Sequence, residues 1–351
     1  MSEIRKDYLT NRIVIVPNLK KPLLETKEPK KERKDPRIMP ECDYCAGNEA
    51  KTSGAIVALV QKEGSLIKQS DEEGAPIRDW VVRVFESNEP IVTTTPNQTY
   101  GDRPLFSEPA YGYHYIVVAT PNHSENLTDM SIEQIGNILT IVQDKVRWMY
   151  SQKKVSYVSV IMNQTSNISL TMSHPHLQII SLPQVPPIIE QEAIAIQKSM
   201  TDIGICPVCS IVNVESGGPR QILSTECFIS IAPWASPNSY EFWIIPKKHQ
   251  TSFIKATQKE IIDLALILRC ALGGMAKSLN NPNFNLVLHI SAEKKITRQL
   301  HWHIEVYPNK KEWGGLEKGM GVFVNEVSPE EVATLFGAYS RKELATLIGV
   351  T

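Results

Sequence analysis

The chain has 351 residues, long enough for two domains that each bury a core. Its 37 basic and 38 acidic residues leave a net charge of -1, so no overall field draws in nucleic acid or an anionic membrane, and an anionic substrate must be caught locally. No apolar leader opens the sequence, and its most hydrophobic helical stretch, residues 264–275, carries Arg269 and two glycines, which points to a cytoplasmic protein without a membrane span.

Taken in order, a charged start leads into a strand-like run at residues 12–16, and the lysine- and proline-rich residues 20–40 read as an exposed loop. Cys42-Asp43-Tyr44-Cys45 follows, a tight turn of the kind that presents two thiolates to one metal. Strands are expected over residues 79–85 and 113–119, the second running into Pro121-Asn122-His123. Ser131 and Gln134 have capping-box spacing, and Ile132, Ile135, Leu139, Val142, Val146 and Met149 recur at helical spacing, so an amphipathic helix should pack on the sheet. A strand over residues 157–163 and a polar loop over 164–172 lead to Ser173-His174-Pro175-His176-Leu177-Gln178. There His174, His176 and Gln178 fall at i, i+2 and i+4, the spacing of one strand face. Residues 181–187 read as a boundary between halves 1–187 and 188–351.

The second half repeats this order. A helical stretch at residues 188–203 precedes Cys206-Pro207-Val208-Cys209, a strand at 240–246 ends near His249, and Thr257 with Glu260 is again a capping box. A strand at 284–290 and His301-Trp302-His303 close the unit. His123 and His174 stand 51 positions apart, and His249 and His301 stand 52 apart, so the chain is read as an internal duplication. The gap from C-x-x-C to the next histidine is 78 in the first half and 40 in the second, which predicts an insertion within residues 46–78.

Each half therefore supplies two thiolates and two imidazoles, a donor set that fills a tetrahedral zinc shell and leaves no open position. We read both zincs as structural, held by Cys42, Cys45, His123 and His174 in one half and by Cys206, Cys209, His249 and His301 in the other; iron is the alternative metal for the second. His176 and His303 are then left free. A neutral imidazole is a competent nucleophile toward phosphorus, and it splits a transfer between two phosphates into two displacements. Gln178, two residues on, can donate to the charged transition state, whereas its counterpart Glu305 would repel a phosphate, so the first half is the expected active site and His303 a relic, unless it lines the pocket from across an interface. His114 and His289 have no counterpart and read as packing or surface histidines.

These motifs together resemble the galactose-1-phosphate uridylyltransferase family, a duplicated branch of the histidine-triad superfamily. The resemblance runs through Arg5-Lys6-Asp7, Cys42-x-x-Cys45 with Gly47-Asn48-Glu49, Arg83-Val84-Phe85, Thr120-Pro121-x-His123, His174-Pro175-His176-x-Gln178 and residues 319–327. It implies an α+β fold of two histidine-triad-like halves forming one duplicated antiparallel sheet flanked by helices, in a homodimer with active sites near the subunit interface. It also implies that His176 takes UMP from UDP-glucose and passes it to galactose 1-phosphate. By the same resemblance Asn163 and Gln178 contact phosphate and nucleotide, Phe85 packs on the base, Ser87 or Asn88 meets the ribose, and Asn325 and Glu326 meet hexose hydroxyls.

The second C-x-x-C is more like the ADP-glucose phosphorylase branch, so an ADP-sugar or dinucleoside polyphosphate phosphorylase or adenylyltransferase is the alternative. A zinc-stabilised nucleotide-binding protein is the non-enzymatic one. The chain departs from the family's pattern around the nucleotide. Its loop before His174 lacks glycine, with Thr171 standing in for a serine hydroxyl, and Lys20 or Lys21 must replace an arginine fork.

Overall fold

Runs of alternating β-branched and aromatic residues form the strands, and stripes of Ile, Leu and Val at helical spacing form the helices that cover them. A computed structural model of the chain describes residues 2–17, 42–72, 75–96, 101, 104–165, 173–294, 299–309 and 312–350. In the first half lie β1 (Glu3–Lys6), β2 (Ile13–Val16), β3 (Val57–Lys62), β4 (Ser65–Gln69), β5 (Trp80–Glu86), β6 (His114–Val118), helix α1 (Ile132–Ser151), β7 (Tyr157–Gln164) and β8 (His176–Leu182). The second half begins with α2 (Pro187–Ile203), α3 (Pro207–Glu215), β9 (Gln221–Ser224), β10 (Phe228–Ile231) and β11 (Phe242–Pro246). It continues with α4 (Gln258–Leu279), β12 (Phe284–His289), β13 (His303–Pro308), α5 (Gly315–Met320), β14 (Val322–Val324) and α6 (Pro329–Leu347).

Eleven strands make one antiparallel sheet in the order β4-β3-β5-β6-β8-β7-β12-β13-β11-β10-β9. The order reads alike outward from its centre, where β7 meets β12 with Asn163 opposite Asn285. By this symmetry β8 corresponds to β13, β6 to β11 and β5 to β10, as the duplicated sequence requires. The first half's extra length is divided between two places: the hairpin partner β4, and a β5–β6 connection of residues 87–113 against a β10–β11 connection of 232–241. The insertion thus extends beyond residues 46–78, because a C-x-x-C-to-histidine count cannot say which loop within it has grown.

The principal core lies between the sheet and helices α1 and α4, and it takes in Val117, Leu139, Val142, Ile179, Leu268, Leu286 and Ile304 from both halves. Burying each such side chain is worth about 1.5–3 kcal/mol, which is why the helical stripes predict the packed face so well. Ser131 caps α1 by accepting from the Gln134 N–H at 3.1 Å, but the Gln134 amide donates to Val81 O and Ala119 O instead of returning the cap. Thr257 and Glu260 make the complete box. The two glycines of α4 admit α6: a Cβ on Gly274 would lie 2.2 Å from Ser340 Oγ and 2.9 Å from its backbone nitrogen. Arg269, which interrupts the apolar run of α4, donates to Glu343 Oε2 of α6 at 2.9 Å. No helix among the described residues is long and apolar enough to cross a membrane.

A second, three-stranded sheet, β1-β2-β14, ties the N-terminal segment to the far half. Tyr8 Oη donates to Glu215 Oε1 at 2.6 Å and accepts from the Trp234 N–H at 3.1 Å, while the Arg5 guanidinium lies 3.9 Å from the Trp234 ring centroid. On the face of the large sheet away from α1 lies a smaller cluster, Ala58, Trp80, Phe85, Ile116 and Val118, with Tyr44 against it. This face carries the candidate site.

Candidate active site

The first C-x-x-C is a tight turn in which the Cys45 N–H donates to Cys42 O at 3.3 Å and Asn48 Nδ2 to Cys42 O at 2.7 Å. Gly47 at φ +93 turns the chain so that Glu49 becomes buried and accepts from Trp80 Nε1 at 2.9 Å. The second pair is built differently: Cys206 is the residue before α3, Pro207 takes its first turn, and Cys209 sits within that turn. Both place two sulfurs beside two imidazoles.

The ligand-capable atoms of Cys42, Cys45, His123 and His174 all lie within 4.8 Å of one another, as do those of Cys206, Cys209, His249 and His301. In the first cluster Cys45 Sγ is 3.4 Å from His123 Nδ1 and 3.6 Å from His174 Nδ1, Cys42 Sγ is 3.8 Å from His174 Nδ1, and the two Nδ1 atoms are 3.3 Å apart. A tetrahedral zinc with ordinary bond lengths sets S···N at about 3.6 Å and N···N at about 3.3 Å, so the residues fit this ion. The outer nitrogens are held as metal ligands require: His174 Nε2 donates to Thr120 O at 2.7 Å and His123 Nε2 to Ser173 Oγ at 3.0 Å. In the second cluster Cys209 Sγ is 3.4 Å from His249 Nδ1 and 3.5 Å from His301 Nδ1, and His301 Nε2 donates to Pro246 O at 2.9 Å. Cys209 is half-buried and His249 exposed, whereas the first cluster is wholly buried.

His174 precedes β8 and does not share its face with His176 and Gln178; Pro175 separates the histidine turned toward the sulfurs from the one turned toward the sheet surface. His176 donates from Nδ1 to His174 O at 2.8 Å, which leaves the lone pair on Nε2. Its ring is buried, edge-on to Tyr44 at 5.2 Å, and burial holds its pKa below the ordinary histidine value. His176 and Gln178 open into a cavity of ≈ 470 Å³, lined also by Tyr44, Phe85, Ser87, Asn88 and His114. That volume suits a ligand of nucleotide size.

Of the other expected contacts, Phe85 lies against Tyr44 at 5.7 Å and is itself buried. Asn88 lines the cavity but braces the segment that follows the C-x-x-C turn: its Oδ1 accepts from the Ser53 N–H at 3.1 Å and hydroxyl at 3.0 Å, and its Nδ2 donates to Lys51 O at 3.1 Å. Asn163 is not among the cavity's lining residues and accepts from Asn285 Nδ2 at 2.7 Å. Asn325 and Glu326 are outside it too; Asn325 is buried against Ser236 and Ser239 by bonds of 3.1 Å each. Thr171, Lys20 and Lys21 lie outside the described residues.

His114 and His289, read from sequence as packing or surface residues, are buried polar partners instead. His114 Nε2 is 3.0 Å from Gln178 Oε1. His289 Nδ1 is 3.1 Å from Glu192 Oε1, in a buried group with His303 and Glu305. Neither carried a sequence signal, since a single histidine in a strand looks alike in either role.

The second half repeats the histidine geometry with the ring enclosed. His303 donates from Nδ1 to His301 O at 3.1 Å, repeating the His176 arrangement, but its Nε2 lies 3.2 Å from Glu305 Oε1. Trp243 stacks on its ring at 5.0 Å, filling the register position that Ile116 holds in the first half. Its Nε2 therefore faces a carboxylate.

A buried histidine in a nucleotide-sized cavity, on a sheet that also carries two Cys/His clusters, fits the class of nucleotidyltransferases. The family model for "Galactose-1-phosphate uridyl transferase, N-terminal domain" matches residues 82–186. ADP-glucose phosphorylase of Arabidopsis thaliana is 29% identical over 94% of this chain and 91% of that protein. Its crystal structure with bound ADP-glucose superposes with a TM-score of 0.76 at 26% identity, covering 96% of this chain and 99% of that one. Galactose-1-phosphate uridylyltransferase of Thermotoga maritima is 27% identical over 66% of this chain and 75% of that enzyme. The chain is thus similar to galactose-1-phosphate uridylyltransferases and to an ADP-glucose phosphorylase, the latter along nearly its whole length.

Proposed function

We propose that this enzyme moves a nucleoside monophosphate from a nucleotide sugar to a phosphate-bearing acceptor by a ping-pong route through His176. The observation that carries the reading is the bond from His176 Nδ1 to His174 O, which fixes the tautomer and aims the Nε2 lone pair at the cavity. Nε2 attacks the α-phosphorus, and the bond to the bridging oxygen breaks, releasing sugar 1-phosphate with the electron pair. The positive charge left on the ring is stabilised by the Nδ1–H···O bond, and the Gln178 amide donates to the phosphoryl oxygens. An acceptor phosphate oxygen then attacks the same phosphorus and returns the N–P pair to Nε2.

Zinc held by either Cys/His set closes the fold around these residues and takes no part in the displacement. The first set holds the residue whose carbonyl orients His176. Asn325 and Glu326 stand apart from the cavity of their own chain, so in this reading they meet the sugar of a second copy's site, in a homodimer.

Among donor and acceptor pairs, AMP transfer from ADP-glucose to orthophosphate is favoured by similarity to an ADP-glucose phosphorylase along nearly the whole chain. UMP transfer between UDP-glucose and galactose 1-phosphate, the pair expected from the motifs, is the second reading; the Thermotoga relative supports it over a shorter span. Product analysis with each pair decides between them. Glucose 1-phosphate and ADP formed from ADP-glucose and orthophosphate support the first; UDP-galactose formed from UDP-glucose and galactose 1-phosphate supports the second; turnover of neither sets both aside.

A further inference from the structure

We propose that His114 is a positioning residue that decides which end of the Gln178 amide faces the phosphate. The geometry runs through three groups in series. The Ile91 N–H approaches His114 Nδ1 at 3.4 Å, and a backbone N–H can only donate, so Nδ1 carries the lone pair and Nε2 the proton. His114 Nε2 lies 3.0 Å from Gln178 Oε1, and a protonated nitrogen can only donate, so the amide oxygen is drawn to the histidine. What Gln178 then offers the cavity it shares with His176 is its NH₂, two donors suited to an anionic phosphoryl group and unsuited to a cation. With the amide turned the other way, two N–H donors would face each other and the oxygen would face the phosphate.

The surroundings hold this arrangement in place. Gly112 packs so tightly on β8 that a Cβ there would lie 2.1 Å from Ser181 O, and the Tyr113 N–H donates to Ser181 Oγ at 2.8 Å. The His114 carbonyl accepts from the Ser87 N–H at 2.8 Å. His114 is only 7% exposed, and burial lowers its pKa more than the Gln178 bond raises it, in keeping with a neutral ring.

The second half supplies an internal comparison. In the matching register Glu305 replaces Gln178, and Glu241, one residue before the paired part of β11, falls where His114 stands. Where the amide is gone, the histidine that orients it is gone as well. Burial and the neighbouring Glu305 push Glu241 up to about 8, and its two carboxyl oxygens are taken up by Trp243 Nε1 at 2.9 Å and Asn238 Nδ2 at 2.9 Å.

The proposal rests on the cavity being the nucleotide phosphate site, and its test is a double-mutant cycle over His114→Phe and Gln178→Ala. The readouts are kcat/KM for the active donor and Kd for ADP and UDP. Each single change is expected to lower kcat/KM about tenfold or more. The double variant should be no worse than Gln178→Ala alone, because His114 acts only through the amide. His114→Gln, whose amide N–H can donate to the same oxygen, should recover most of the loss. Multiplying effects in the double variant, or a His114→Phe enzyme with wild-type kcat/KM and Kd, would overturn the proposal. Should the wild-type turn over no donor, the proposed function fails, and the same cycle in Kd still accepts or rejects the coupling.

Discussion

His176 hangs from the carbonyl of His174, 2.8 Å away, while the His174 ring turns to Cys45 Sγ at 3.6 Å. One proline lies between the proposed nucleophile and a metal-type ligand, so the Cys/His cluster and the nitrogen proposed to react are mechanically linked.

That linkage predicts what metal removal does. Metal analysis of the purified chain should find about two zinc equivalents, from two sets of four ligands each. Cys42→Ala should cost several kcal/mol of stability, since metal binding at a closed site is folding free energy. Activity should fall in step with the thermal transition. Chelation that abolished turnover while leaving the transition unmoved would show a metal acting in the chemistry.

His303 sits on the same scaffold with Trp243 stacked over it and Glu305 at its Nε2. His303→Phe should therefore leave the rate of covalent nucleotidylation within about twofold of wild type, while the same change at His176 removes it altogether. Rapid-quench trapping of the adduct checks both.

Stability should show an acid limb from Glu343. Burial works against its ionisation, but Lys277 and Arg269 outweigh burial and hold its carboxyl below the ordinary value of 4.5. A depressed carboxylate stabilises the fold above its unfolded pKa and loses that contribution as pH falls through the folded one. Glu343→Gln should cost about 1–3 kcal/mol at pH 7, with the gap to wild type closing toward pH 3 in denaturant melts. A gap independent of pH would assign the loss to packing between α4 and α6.

The N-terminal anchor makes a similar forecast. Tyr8→Phe removes a bond to Glu215 and orphans the Trp234 N–H, so it should cost about 1–3 kcal/mol without changing nucleotide affinity. Denaturant melts and calorimetric titration separate the two effects.

Much of this was legible in the sequence because it recurs. The paired C-x-x-C turns and the 51- and 52-residue histidine intervals located both clusters, since a closed ligand set needs those residue types whatever surrounds them. Helix α1 was readable from its stripe, which the core enforces. What lay beyond reach depended on which strands become neighbours. Gln178 and His114 are 64 positions apart and meet only through β6–β8 pairing, and His289 meets Glu192 only through the folded core. Asn325 lies outside the cavity of its own chain because a motif fixes the company of its own backbone, here β14 beside β2, and not the distance to a cavity in the other half.

The most direct test of the account is intact-protein mass spectrometry after separate incubation with ADP-glucose and UDP-glucose, with His176→Ala as control and peptide mapping of any adduct. The expected result is one nucleoside monophosphate per chain, acid-labile, mapped to His176, absent from the variant, and discharged by orthophosphate or galactose 1-phosphate. Full turnover by His176→Ala, or an adduct on another residue, would contradict it.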